Sequence, residues 1–294
     1  MIRTNRKGRS NVKLVSFSKG GKDSYGVVVD GGIVDVGKKL GSKYPTLKDV
    51  IAAGALKEVE AAAKGQQPDA KLSDVTLGFP IPNPGKILCA GRNYRAYHEV
   101  QEMGNAPKYP SIFARYLSSF VPHGQPLVRP KVSEQLDFEG ELCAVIGKKG
   151  RHIAKDKALD YVVGYTILNE GSVRDWQGKG TQNFPGKNFD RSGSIGPWMV
   201  TADEIGDPSK LHIKTTLNGK VMQDGGTDLM IFDIPYMLAH ASQALELNPG
   251  DLLTTGSPGG SGIEHKPPVW MKPGDTLEVE ISKIGVLKNP VVAE

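Results

Sequence analysis

Two apolar, β-rich runs in this chain carry carboxylates where carboxylates are costly, and any fold it adopts has to accommodate them. The first, Leu136-Asp137-Phe138-Glu139-Gly140-Glu141-Leu142, leads into Cys143-Ala144-Val145-Ile146; the second, Tyr165-Thr166-Ile167-Leu168-Asn169, ends on Glu170. Successive side chains of a strand point to opposite faces, so Glu139 and Glu141 form a pair on one face. A buried carboxylate without a partner neutralises itself or finds a cation. A third acid from a neighbouring strand would complete an all-oxygen cage, and such hard ligands suit Mg²⁺, Mn²⁺ or Ca²⁺ rather than zinc. The alternative places the pair on the wet face of an antiparallel sheet, beside Lys148 or Lys149. Spacing alone leaves both open.

The rest of the chain sets the frame. Its 294 residues make one large domain or two smaller ones, and 36 Gly, 20 Pro and much period-two alternation predict mostly β structure with a few helices. Cys89 and Cys143 each lie in an apolar run (KILCAG, ELCAVIG), which predicts buried thiols rather than a disulfide or metal site, and a cytoplasmic chain. No stretch has the apolar length of a membrane span, and the basic start MIRTNRKGRSNVKLVSF lacks the apolar core of a secretion signal. The net charge of +5 is spread along the chain. Its only dense clusters are the N-terminal tail and Lys148-Lys149-Gly150-Arg151, without the interleaved aromatics of a single-strand binder, so no nucleic-acid partner is expected. A basic balance also suits a small anionic substrate.

In order, VKLVSFS, SYGVVVD and GIVDV read as strands, with Asp30-Gly31-Gly32 as a tight turn. Thr46 reads as the N-cap of one helix, and ALKEVEAAAK as a second. These form a small leading module, 1–82, ahead of a second domain, 83–294. KILCAG is a buried strand, followed by a short helical or lid-like segment in which His98 and Glu102, four apart, share a face: either a general base with its orienting acid or a surface pair. Arg115 is either a carboxylate-gripping fork or an ordinary surface arginine. The glycine-rich loop QGKGTQNFPGKNFDRSGSIGP holds Lys187 but has no phosphate-binding pattern. LHIKTTLNGKVMQDG is a hairpin turning at Asn218-Gly219. A helix runs from Asp233-Ile234-Pro235 to Asn248-Pro249-Gly250, with His240 as a packing or surface residue. Glu278 and Glu280 repeat the paired-acid spacing on a strand read as half-exposed, facing solvent.

Taken together, KILCAGRNY, LDFEGELCAVIGKKGRHI, YVVGYTILNEGSVRDWQ, GKNFD, LNGKVMQDG, PGDLLTTGSP and KPGDTLEVEI resemble, in order, the motifs of the fumarylacetoacetate hydrolase family, from about Lys86 to the C-terminus. The resemblance implies an α+β, mostly β chain: a mixed β-roll catalytic domain with a small N-terminal α/β domain, usually a homodimer. It implies one divalent cation, Mg²⁺ or Mn²⁺ with Ca²⁺ also possible, on Glu139, Glu141 and Glu170. The family usually has aspartate at the third position; the longer Glu170 adds a methylene, with Gly171 beside it to supply slack. The family's catalytic dyad falls on His98 and Glu102 at a spacing of four rather than three, with Glu99 as a fallback. Lys187 would be the glycine-loop lysine, and substrate contacts would come from Arg92, Tyr94, Arg115, Gln223, Thr255 and Ser257.

What this implies chemically is a metal-dependent hydrolase that cleaves a C–C bond in a 2,4-dioxo acid, such as an acylpyruvate from aromatic ring cleavage. His98 would activate a water and Lys187 would return a proton. Decarboxylation or keto–enol isomerisation of a 2-oxo acid needs the same cation but no attacking water. Two rivals are a basic binding module without catalysis and a family fold that has lost its chemistry.

Overall fold

The computed structural model of the protein describes residues 12–95 and 107–294. Its largest sheet runs through Ala70–Lys71, Gly32–Asp35, Lys22–Val29, Lys13–Lys19, Gly193–Thr201, Val162–Asn169, Gly140–Ile146, Leu252–Thr254, Ile87–Gly91 and Ser111–Ala114. Most neighbours are antiparallel, but Leu252–Thr254 lies parallel to Ile87–Gly91 and Phe120–Pro122 adds parallel to Gly193–Thr201. A second sheet orders Lys220–Gly226, His212–Leu217, Thr276–Ile281, Gly285–Ala293 and Leu127–Arg129. The fold is mostly β with mixed sheets, as the motifs imply. Among the described residues no helix is long and apolar enough to cross a membrane.

Local chemistry accounts for the punctuation. Asp30, Gly31, Asn218 and Gly219 all take left-handed φ, at 47°, 77°, 52° and 79°, as two-residue hairpin turns require. Thr46 and Asp49 close a reciprocal capping box on the helix Leu47–Ala52, and Leu56–Ala63 follows. Asp233 caps the helix Ile234–Ala244, with proline in its first turn. That helix ends before the expected Asn248-Pro249-Gly250, because Leu247 leaves it to exchange backbone hydrogen bonds with Gly150. Glu278 and Glu280 do face outward, paired with Lys288 at 2.7 Å and Lys214 at 2.6 Å.

The strand Gly140–Ile146 is buried on both faces. Cys143 and Val145 join Leu47, Val50, Ile51 and Val59 of the leading helices in one core. Leu142, Ala144 and Ile146 join Ile213, Val279 and Leu238 in another. The strand therefore has no wet face to offer, and the choice that spacing left open resolves toward burial. Both cysteines are buried free thiols. Residues 12–82 do not stand apart from this sheet: Lys13 pairs with Val200 and Leu14 with Met199.

Candidate active site

Register brings the acids together. Gly140 pairs with Asn169 across adjacent antiparallel strands, so Glu139 and Glu141 flank the point where Glu170 leaves the neighbouring strand. The Glu170 N–H donates to the Glu139 carbonyl at 2.8 Å, and the Glu139 N–H donates to Asn169 Oδ1 at 3.1 Å. One carboxylate oxygen from each of Glu139, Glu141 and Glu170 lies within 4.8 Å of the others, and all three residues are buried. Gly171 does not act as slack for the longer Glu170. A Cβ there would come within 1.7 Å of the Ser192 carbonyl oxygen, so glycine is what lets two backbones touch behind the acids. Gly171→Ala is expected to cost about 1–3 kcal/mol of stability and to weaken Mn²⁺ binding with it. Thermal unfolding and a Mn²⁺ titration check this.

Among the described residues, two buried cations face the triad. The Lys187 ammonium donates to Glu139 Oε2 and, at 2.7 Å, to Glu170 Oε2. Arg174 spends its guanidinium on three partners: Nη2 on Glu139 at 2.9 Å, Nε on Asp137 at 2.7 Å and Nη1 on Gln177 at 3.0 Å. Burial alone would raise the Glu139 pKa, but Arg174 and Lys187 outweigh it and hold that carboxyl down at about 2. For Glu141 the nearby Lys187 charge is outweighed. Burial, then the charges of Glu170 and Glu139, push it well above the usual carboxylate range, and its contact is the Gly256 N–H at 3.1 Å. Burial would lower Lys187, yet Glu139 and Glu170 raise it, so it stays an ammonium. Three buried carboxylates thus face two cations, one of them shared with Asp137, and Glu170 Oε1 is buried without a hydrogen-bond partner. This oxygen-only, electron-rich donor set fits a hard divalent cation.

The triad floors a cavity of about 700 Å³, whose walls include Arg92, Phe113, Gln177, Asn183, Ser257 and Ile263. Of the expected substrate contacts, Arg92 and Ser257 line it. The others sit behind the walls. Tyr94 is fully buried in the core and forms a backbone bridge with Met230. Arg115, expected to grip a carboxylate, is held instead by protein partners. It is 3% exposed, donates to Ser119, to the Gly171 carbonyl at 3.1 Å and to Ser192 Oγ at 3.1 Å, and stacks on Phe120. Gln223 is likewise spent: Oε1 accepts the Gly140 N–H at 2.8 Å and Nε2 donates to the Pro258 carbonyl at 2.7 Å. The Thr255 hydroxyl is buried and turned onto the Gly256 carbonyl. His98, Glu99 and Glu102 lie outside the described residues.

Sequence reasoning assigned no role to Arg174 or Asp137. Both had a signal: Asp137 extends the alternation Asp137, Glu139, Glu141, and Arg174 follows Glu170 by four in the same motif.

Comparison with known proteins bears on what this arrangement does. The fumarylacetoacetate (FAA) hydrolase C-terminal family matches residues 86–292. The mitochondrial oxaloacetate tautomerase fahd2 of Xenopus laevis is 39% identical over 290 residues, covering 96% of this chain and 91% of that protein. Fumarylacetoacetate hydrolase from the psychrophile Exiguobacterium antarcticum superposes with a TM-score of 0.82 at 33% identity, covering 96% of this chain and all of that one. Maleylpyruvate hydrolase from Sphingobium sp. SYK-6, in complex with manganese(II) and pyruvate, superposes with a TM-score of 0.80 at 30% identity, covering 96% and 99%.

Proposed function

The chain belongs to the fumarylacetoacetate hydrolase family, and from that premise we propose that it is a divalent-cation-dependent keto–enol tautomerase of a 2-oxo diacid of the oxaloacetate type. The observation that carries this is the likeness, over nearly the whole length of both chains, to an oxaloacetate tautomerase. It favours the isomerase alternative over the C–C hydrolysis expected first. Tautomerisation moves one proton between C3 and the 2-oxo oxygen, consumes no water and releases no fragment. It therefore needs no activated water, and a base in the dyad's place has only to move the C3 proton.

Glu139, Glu141 and Glu170 would hold Mn²⁺ or Mg²⁺. Bound there, the cation supplies a Lewis acid for the 2-oxo oxygen. Arg174 keeps Glu139 ionised for that task. Lys187, kept protonated by its two carboxylate partners, serves as the acid for the 2-oxo oxygen when the keto acid enolises and takes that proton back in ketonisation. Arg92 on the wall adds the positive charge that a dianion needs. We assign His98, with Glu102 as its partner, to the C3 proton, which it would remove in enolisation and return in ketonisation. Ketonisation of enol-oxaloacetate, followed by its ultraviolet absorbance, is expected to accelerate with Mn²⁺, to stop in chelator, and to fall about 100-fold or more in His98→Ala. Release of pyruvate from oxaloacetate or from an acylpyruvate, without tautomer exchange, would replace the proposal with a decarboxylase or a hydrolase.

A further inference from the structure

A fourth acid is buried under the cavity, and it is tied to the wall rather than to the triad. Asp137 is fully buried, and both its oxygens are used twice. Oδ1 accepts the N–H of Phe138 at 2.7 Å and of Gly262 at 2.6 Å; Oδ2 accepts the N–H of Ile263 at 3.1 Å and Arg174 Nε at 2.7 Å. Gly262 and Ile263 begin the one-turn helix Gly262–Glu264, and Ile263 lines the cavity. The turn closes on itself through a Ser261–Glu264 capping box, so its own shape does not depend on Asp137. What Asp137 fixes is the position of that turn against Arg174. The approach is close enough to demand glycine: a Cβ on Gly262 would meet the Val269 carbonyl oxygen at 1.9 Å and Asp137 Oδ1 at 2.5 Å.

The same guanidinium that reaches Asp137 also reaches Glu139. At its other end, the loop donates the Gly256 N–H to Glu141. The loop from Gly256 to Glu264 is therefore strapped across two of the three acids, once directly and once through Asp137 and Arg174. We propose that Asp137 is a positioning residue that couples this cavity wall to the metal-binding carboxylates, so that a divalent cation at the triad tightens the 258–264 loop. A cation that draws on Glu139 weakens that carboxylate's hold on Arg174. The guanidinium then leans on Asp137, whose remaining lone pairs hold the Gly262 and Ile263 amides. Only the cation site of the proposed function is used here, not the identity of the substrate.

Hydrogen exchange read by mass spectrometry on the full chain, with chelator and with saturating Mn²⁺, tests this. In the parent protein Mn²⁺ should slow exchange in peptides spanning 258–266 by about fivefold or more. In Asp137→Asn the slowing should vanish at saturating Mn²⁺, with calorimetry showing that Mn²⁺ still binds, about 10–100-fold more weakly. Ile263→Pro removes one amide donor and leaves the Asp137–Arg174 pair intact. It should cut the slowing to less than about twofold with Mn²⁺ affinity unchanged, and it decides the matter if Asp137→Asn does not fold. Faster loop exchange in Asp137→Asn by the same factor with and without Mn²⁺ would mark a merely structural role and overturn the proposal. So would Mn²⁺ slowing that is absent in the parent or intact in both variants. A parent protein that binds Mn²⁺ but does not turn over oxaloacetate would refute the tautomerase reading and leave the exchange result standing.

Discussion

Glu141→Gln is expected to reverse the order of stability between chelator and Mn²⁺. In chelator the parent buries an acid beside two other carboxylates without a cation of its own. Because the folded-state pKa is raised above the ordinary value of about 4.5, folding takes up a proton. The contribution of Glu141 to stability is then complete below that ordinary value and is lost as pH rises through the elevated one. Glutamine keeps the shape and removes the charge, so at pH 8 the variant should be more stable than the parent by about 1–3 kcal/mol, an advantage that shrinks toward pH 4. Glu139, held at about 2, works with the opposite sign: its contribution is present above the ordinary value and is lost only as the solution becomes strongly acidic. With Mn²⁺ at a hundred times its dissociation constant the parent gains about 2.7 kcal/mol, whereas the variant, missing one ligand, gains little and loses turnover. Melting curves in the two buffers at pH 4 and pH 8 read all of this. A variant that melts below the parent in chelator at pH 8 would mean that Glu141 is not the uncompensated charge.

Lys187→Met should produce the larger loss of stability. The Lys187 ammonium is 3% exposed and bridges Glu139 and Glu170. Removing one partner from a buried ionic cluster leaves the others uncompensated, which costs about 3–5 kcal/mol. The deficit should be greatest in chelator and should narrow with Mn²⁺, which replaces the missing charge. Turnover should stay down about 100-fold or more even with saturating Mn²⁺, because a cation does not replace a proton donor. Recovery of stability and turnover together on adding Mn²⁺ would reduce Lys187 to a counter-charge. An unchanged melting temperature in chelator would remove even that role.

The acids that matter were legible because they break a pattern. Carboxylates inside apolar, alternating strands need an explanation, and Glu139, Glu141 and Glu170 all stood out that way. Hairpins and caps were legible for local reasons: Asn218-Gly219 and Asp30-Gly31 prefer one turn type, and Thr46 and Asp233 offer acceptors to a helix start. Arg115 and Gln223 were not. Each has a polar group that serves a ligand as well as it serves a backbone. Their actual partners, Gly171 and Ser192 for one, Gly140 and Pro258 for the other, lie far away in sequence. Arg174 escaped for the converse reason: a surface helix start would show the same arginine. Only the fold places its three nitrogens on Asp137, Glu139 and Gln177.

The pairing of Lys13 and Leu14 with Val200 and Met199 fixes when this protein can finish folding. The opening hairpin is made early in synthesis, yet the strand that covers the Lys13–Leu14 end of its outer edge is not available until about two-thirds of the chain has been made. Phe17 and Ser18 are covered by Leu77 and Thr76 within the leading segment itself, but until Gly193–Thr201 arrives the Lys13–Leu14 end presents unpaired amides and carbonyls, a template for another extended segment in reach. Contacts so distant along the chain also close slowly, since the intervening loop must be ordered before they yield anything. The early residues therefore wait for the catalytic strands. A chain cut short before Gly193 would keep the leading helices on their own strands, with Leu14, Tyr25 and Val27 in the shared core, but would leave the Lys13–Leu14 edge open, which makes such fragments prone to aggregate.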